Sequence, residues 1–269
     1  MAKLKHTFKT DTLFKILFVK YPHLLKKLVA VLLGIEHEDI QQFEIINSEI
    51  PAEALSKKFC RLDVNMNVDG QKVVLEIQVE DEGDFPERTL YQWAREYSMT
   101  LAEGEQYCQL PQVVHISIVN FSMFDCQEFH SEFKPLEVTR HTLLTDKMSL
   151  HYFELPKLCT PVGADNPLEL WLALFKANTE EDLKRIEALE VPDMKEAIDA
   201  YRITTASPEL RELERLISKA GHDEAQALYC AEKRGEERGE KRGEVKWQRV
   251  IAEKDAEIAE LRARLGENK

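Results

Sequence analysis

Apolar and polar residues alternate strictly on either side of Asp69-Gly70. Before that pair, Leu62, Val64, Met66 and Val68 fall on one face and Arg61, Asp63, Asn65 and Asn67 on the other. After it, Val73, Leu75, Ile77 and Val79 share a face, opposite Val74, Glu76 and Gln78. A period of two bounded by a turn dipeptide predicts two half-buried strands. Asp-Gly supplies the positive φ angles of a two-residue hairpin turn. With Asp69 and Gly70 as the loop, Val68 pairs with Gln71 and every facing pair of residue numbers sums to 139. Asp63 then faces Glu76, and Arg61 faces Gln78.

The flanking segments have helical spacing. Thr10 or Asp11 is placed to cap a helix whose stripe is Leu13, Phe14, Leu17 and Phe18. Pro22 suits the first turn of a second helix, and Gly34 stops it. A short strand is predicted over residues 43 to 46, then a loop through Pro51. After the hairpin, a helix over residues 86 to 103, closed by Gly104, groups Leu90, Trp93, Ala94, Tyr97 and Leu101 on one side. Arg88, Gln92 and Arg95 fall on the neighbouring face, placed either to approach phosphates or to pair with acids on a solvated helix. The run VVHISIV at 113–119 reads as a central buried strand in which His115 is a core histidine. Residues 125 to 160 predict two more strands forming an edge hairpin where Pro135 is tolerated. Residues 166 to 230 are helical, with starts at Pro167 and at Ser207-Pro208.

The C-terminal tail repeats a four-residue unit in which Gly235, Gly239 and Gly243 are each followed by glutamate. Each glycine costs about 1 kcal/mol of helix propensity relative to alanine. Beyond it Trp247, Ile251, Ile258, Leu261 and Leu265 occupy heptad-like positions, so self-association through the tail is an expectation. The predicted organisation is a core at 1–160, a helical region at 161–230, and a charged, coiled-coil-like tail at 231–269.

At 269 residues, 43% hydrophobic and 32% charged, the chain has enough apolar content for one large core under a very polar surface. A net charge of −13 argues against broad, non-specific binding to nucleic acid. The first thirty residues, however, hold seven lysines and one acid, a net of +6, which leaves −19 on the remainder. Lys3, Lys5, Lys9 and Lys15 are therefore candidate phosphate contacts, the alternative being a solubilising helix face. Five cysteines without close spacing fit reduced, mostly buried thiols. No apolar run reaches the roughly 18 residues of a membrane helix, and no signal-peptide core is seen, so a cytoplasmic protein without membrane association is expected.

The facing acids Asp63 and Glu76 have two readings. Directly opposed side chains place their Cβ atoms about 4.5–5.5 Å apart, where like charges repel. Either the face is solvated and the repulsion screened, or a divalent cation joins them. Mg²⁺ is held by one or two protein carboxylates. Asp11 is a helix cap in one reading and a third metal-site acid in the other.

The chain resembles the PD-(D/E)XK nuclease superfamily and, within it, the Rpn-type recombination-promoting nucleases and transposases. The resemblance rests on Asp11-Thr12-Leu13-Phe14-Lys15-Ile16-Leu17-Phe18, Arg61-Leu62-Asp63-Val64, Leu75-Glu76-Ile77-Gln78, Arg88-Thr89-Leu90-Tyr91 and Glu154-Leu155-Pro156-Lys157. It spans residues 8 to 175, and the glycine-charged tail is also typical. It implies a mixed α/β fold with an αβββαβ restriction-endonuclease-like core and a central mixed sheet. It further implies DNA as substrate and dependence on Mg²⁺ or Mn²⁺. Asp63 and Glu76 would carry the metal, and Gln78 would take the place that lysine holds in most of the superfamily. Two functions follow: a Mg²⁺-dependent DNA endonuclease of recombination or mobile elements, and a non-catalytic relative that binds DNA or self-associates.

Overall fold

The computed structural model describes residues 3–46, 64–101 and 104–266. Two helices open the chain, α1 (Asp11–Lys20) and α2 (Pro22–Leu33). Proline has no backbone N–H to continue a helix, and Pro22 stands at the start of α2. Gly34 closes α2 in the left-handed region at φ 69°. Thr10 occupies the N-cap position of α1, but its hydroxyl accepts from the Thr7 N–H at 3.1 Å and not from the helix. Asp11 is the acid of the first turn, where it complements the helix dipole.

Lys9 and Lys15 of the basic N-terminal segment are drawn into the molecule, while Lys3 and Lys5 stay exposed. Lys15 is only 2% exposed, so it presents no surface for a phosphate. Lys9 is buried and donates to Asn178 Oδ1 at 3.1 Å. Lys26 donates to the Ile40 carbonyl, Lys27 pairs with Asp193 and Glu196, and Lys5 pairs with Glu214. Long aliphatic stems pack against apolar neighbours at little cost when the ammonium group keeps a partner. A count of lysines cannot separate such residues from a surface patch.

Six strands form one mixed sheet: β1 (Phe43–Ile45), β2 (Val64–Val68), β3 (Gln71–Gln78), β4 (Val113–Val119), β5 (His130–Phe133) and β6 (Met148–Glu154), in the order β1-β2-β3-β4-β6-β5. The β2–β3 hairpin has the register expected from its turn, from Val68 opposite Gln71 to Val64 opposite Leu75. Asp69 (φ 49°) and Gly70 (φ 80°) take the two left-handed positions. Strands β3, β4 and β6 run parallel, and β5 is the antiparallel edge ahead of Pro135.

Helix α3 (Phe85–Ser98) makes the crossover from β3 to β4. It ends earlier than the spacing predicts. Met99 is its C-cap, with the N–H turned back to the Arg95 carbonyl, and Gly104 lies further along at φ 91°. The order of helices, three strands, helix and strand is the expected αβββαβ arrangement.

Odd-numbered β3 side chains and even-numbered β4 side chains join one face of the sheet to the large core with Leu13, Phe18, Leu28 and Trp171. The helices α4 (Pro167–Lys176), α5 (Glu180–Glu187) and α6 (Pro192–Thr205) extend the same core. Ser207 caps the start of α7 (Pro208–Gly266) through its hydroxyl and the Leu210 N–H. The chain divides into two compact units, Met1–Leu216 and Ile217–Lys269. In the second, Trp247, Ile251, Ile258 and Leu261 are exposed along the helix.

Cys108, Cys126 and Cys159 are exposed and Cys230 is half-buried, which corrects the expectation of mostly buried thiols. Cys108 lies in a 3-10 turn and Cys126 in a loop, away from the apolar faces that the pattern identifies. Among the described residues no helix is long and apolar enough to cross a membrane.

Candidate active site on the polar face of the sheet

The second face of the sheet is built by the opposite set of alternating residues. On β3 these are Lys72, Val74, Glu76 and Gln78. The parallel register sets Val74 beside His115, Glu76 beside Ser117 and Gln78 beside Val119, and Ser117 in turn lies beside Tyr152 of β6. Burial on both sides makes these polar side chains part of the interior.

Helix α3 covers this face with its polar side. Phe85 and Thr89 are buried, while Leu90 is 48% exposed. Of the residues grouped on one side of the helix, Leu90 and Ala94 are exposed, while Trp93 and Tyr97 are half-buried and Trp93 packs on the small core of Phe85, Val119, Leu150 and Tyr152. The face it packs against already carries Glu76, Gln78 and Lys72, and the helix answers with Arg88 and Glu96, the latter pairing with Lys72. Matching buried charges outweighs burying a few more methylenes, because an unpaired buried charge costs several kcal/mol.

Arg88 organises the centre. Its Nη2 donates to Glu76 Oε1 at 2.9 Å and to Gln78 Oε1 at 3.0 Å, and its Nη1 donates to Glu82 Oε2 at 2.9 Å. The Glu76 carboxylate is 1% exposed and the Arg88 side chain 13%. The guanidinium lies over the Phe85 ring at 4.6 Å. Gln78 Nε2 donates to the Glu80 carbonyl at 2.8 Å, so the amide is held at both ends with its oxygen towards Arg88.

His115 and Tyr152 complete the buried surroundings. His115 Nε2 lies 3.8 Å from Glu76 Oε2, and its Nδ1 lies 3.3 Å from Ser117 Oγ. Burial, reinforced by the Arg88 charge, pushes the imidazole down to about 4, so it is neutral at pH 7. Tyr152 Oη lies 2.5 Å from Thr89 Oγ1. Burial raises the phenol's pKa, and the charges of Glu76 and Glu87 add to the rise. The core histidine expected from the sequence is therefore also a neighbour of Glu76. The signal for it was present: His115 and Ser117 are the only polar residues of an apolar strand and share the two-residue spacing of Glu76 and Gln78.

Of the residues singled out in the sequence, Glu76 and Gln78 are brought together, with Arg88 between them. Asp63 and Arg61 lie outside the described residues. Asp11 opens α1, and Lys15 is buried along the same helix. Gln92 is half-buried, and its Oε1 has no hydrogen-bond partner among the described residues. Arg95 is exposed. The motif Glu154-Leu155-Pro156-Lys157 closes the end of β6: the buried Glu154 accepts from the Met123 N–H at 2.6 Å and from Lys157 Nζ at 2.7 Å. Lys157 also donates to the Phe124 carbonyl at 2.8 Å, which pins the loop after β4.

A second polar cluster lies on the opposite face. His151 Nε2 is 2.8 Å from Ser149 Oγ, His151 Nδ1 is 3.1 Å from His130 Nε2, and Ser149 donates to Glu132 Oε1 at 3.0 Å. Glu132 in turn pairs with Lys134.

The oxygens around Arg88 are those of two carboxylates, Glu76 and Glu82, and of the Gln78 amide, hard ligands that suit Mg²⁺ or Mn²⁺ better than a thiophilic metal. Among the described residues no group of three or more His, Cys, Asp or Glu is set to hold a metal ion. The second predicted acid, Asp63, is not among them. The family described as PD-(D/E)XK nuclease family transposase matches residues 8–231. No curated protein and no solved structure matches the chain.

Proposed function

The chain belongs to the PD-(D/E)XK nuclease family of transposases, and from that premise we propose that it is a DNA endonuclease dependent on Mg²⁺ or Mn²⁺, acting in recombination or in the movement of mobile elements. The observation that carries this reading is a carboxylate, Glu76, buried on a polar sheet face beside Gln78 and held by Arg88. A buried carboxylate is costly without a cation beside it; Arg88 is that cation here, and a divalent ion is the one this proposal adds.

The partner carboxylate in this proposal is Asp63. All five described pairs of β2 and β3 keep the register in which the sequence reads Asp63 opposite Glu76. A divalent ion bound by these two acids supplies a Lewis acid for a phosphate oxygen and a lowered pKa for bound water. Phosphodiester hydrolysis forms a bond from a water oxygen to phosphorus and breaks the bond to the leaving sugar oxygen. Gln78 has no charge to stabilise that oxygen, so its part is to orient water through its amide. Asp11, in the first turn of α1, is the third acid of this proposal. Exposed Arg95, and Gln92 on the inward side of α3, are the proposed DNA contacts of the helix. The core is proposed to act in the cytoplasm.

A second reading, a nuclease-fold protein that binds DNA or self-associates without cutting, is favoured by the Arg88 guanidinium already neutralising Glu76. The exposed Trp247, Ile251, Ile258 and Leu261 support association of tails in either reading. Plasmid nicking with and without Mg²⁺, wild type against Asp63→Ala, separates the two. Cleavage that needs Mg²⁺ and Asp63 supports the endonuclease; absence of any Asp63-dependent cleavage supports the second reading.

A further inference from the structure

We propose that Arg88 is a two-seat cation: it closes the metal-free site on Glu76, and a divalent ion displaces it onto Glu82, which turns Nη2 towards the substrate phosphate. The proposal rests on the reading of Glu76 as a metal ligand.

The two seats are visible in the hydrogen bonds. Nη2 serves the inner one, Glu76 Oε1 and Gln78 Oε1, while Nη1 serves the outer one, Glu82 Oε2. The inner carboxylate is fully buried, and the outer one is half exposed on the loop before α3. A guanidinium and a divalent cation compete for the same Glu76 oxygen, and like charges repel strongly in a site of low dielectric. Entry of the metal therefore weakens the inner seat and leaves the outer one intact.

Two features allow the side chain to move without the helix. Thr89 with Tyr152, Trp93 Nε1 donating to the Val113 carbonyl at 2.9 Å, and Glu96 with Lys72 anchor α3 independently. The Phe85 ring under the guanidinium offers a flat surface along which it can shift. The freed fork matches a phosphate, whose oxygens accept parallel N–H donors. Arg88 would in this way supply the positive charge that Gln78 lacks.

The test is calorimetric titration of the full chain with Mn²⁺ alone, joined to plasmid nicking in Mg²⁺, for wild type, Arg88→Gln, Glu82→Gln and Glu76→Gln. Arg88→Gln is expected to bind Mn²⁺ about tenfold tighter and to nick at least tenfold more slowly. Glu82→Gln leaves Arg88 only its inner seat and is expected to bind Mn²⁺ several-fold more weakly. A merely structural Arg88 would lower metal affinity and cleavage together. Mn²⁺ affinity in folded Arg88→Gln that is unchanged or weaker overturns the proposal, as does nicking at the wild-type rate. If Arg88→Gln does not fold, Glu82→Gln decides: unchanged or tighter Mn²⁺ binding overturns the proposal. Mn²⁺ binding that survives Glu76→Gln, or a wild type that binds none, overturns the reading of the site and the proposal with it. Glu76-dependent binding with the wrong Arg88 result overturns the two-seat cation alone.

Discussion

Lys15 and His151 show how strongly one side chain's meaning depends on burial. In the sequence, Lys15 is one of a run of lysines suited to phosphate; in the fold it is among the most fully buried large side chains. Replacing it with alanine is expected to cost about 2–3 kcal/mol of stability, as for other large buried side chains. The salt dependence of DNA binding should stay as in the wild type. Urea unfolding and a salt titration of DNA affinity check the two parts. A weaker salt slope with unchanged stability would return Lys15 to the surface.

His151 sits in the cluster on the opposite face, and its pKa is pushed down to about 4. Loss of hydration is the main cause; Glu132 pulls it up, and His130 and Lys134 push it further down. The unfolded chain takes up this proton near pH 6.5, the folded chain only near 4. Between those values the unfolded state binds more protons, so stability falls as the pH drops. His151→Gln removes this term. Its loss of stability between pH 7 and pH 4.5, read from urea midpoints, should be smaller than the wild type's by about 2 kcal/mol. An identical acid limb in the variant would contradict the assignment.

At the scale of elements, the β2–β3 hairpin was legible and the facing of α3 was not. The hairpin depends on neighbours in sequence: a turn that needs two positive φ angles, and side chains alternating at period two. Asp69 adds a contact that the pattern does not reveal, accepting from the Gln41 and Gln42 N–H groups at 2.9 and 2.7 Å and tying the turn to the approach of β1. Gly70→Ala meets no neighbouring atom but must hold φ 80°, and is expected to cost about 1–2 kcal/mol. Chemical denaturation measures this, and a neutral result would mean that the turn tolerates another geometry. The facing of α3 cannot be read from its spacing, because hydrophobic periodicity assumes an apolar interior. Here the sheet face under the helix carries Lys72, Glu76 and Gln78, so the helix turns Arg88 and Glu96 inward and leaves Leu90 outside. His115 is legible as a core histidine, but its place beside Glu76 is not, because that link runs through a parallel strand pair far apart in sequence.

At the scale of the whole chain, an acidic protein with a net charge of −13 carries a tail that is polar except for a sparse apolar seam. Trp247, Ile251, Ile258 and Leu261 are exposed, and a helix with three glycines is weak alone, so pairing of tails is the simplest way to stabilise it. A chain ending at Tyr229 is expected to show fewer chains per particle than the full chain, from light-scattering mass divided by chain mass. The same number of chains per particle in both would end the idea of tail-driven assembly. The family match over residues 8–231 leaves this seam outside it, so association and cleavage are separable properties in this account.

The central claim is that the carboxylates Asp63 and Glu76 make this chain a metal-dependent nuclease. Plasmid nicking by the full chain, with and without Mg²⁺, tests it most directly when wild type is compared with Asp63→Ala and Glu76→Gln. The account predicts Mg²⁺-dependent nicking by the wild type and a fall of about 100-fold or more in each variant. It also predicts that Asp63→Ala keeps or raises the thermal midpoint, because one of two repelling acids is gone. Nicking at the wild-type rate by either folded variant would contradict it.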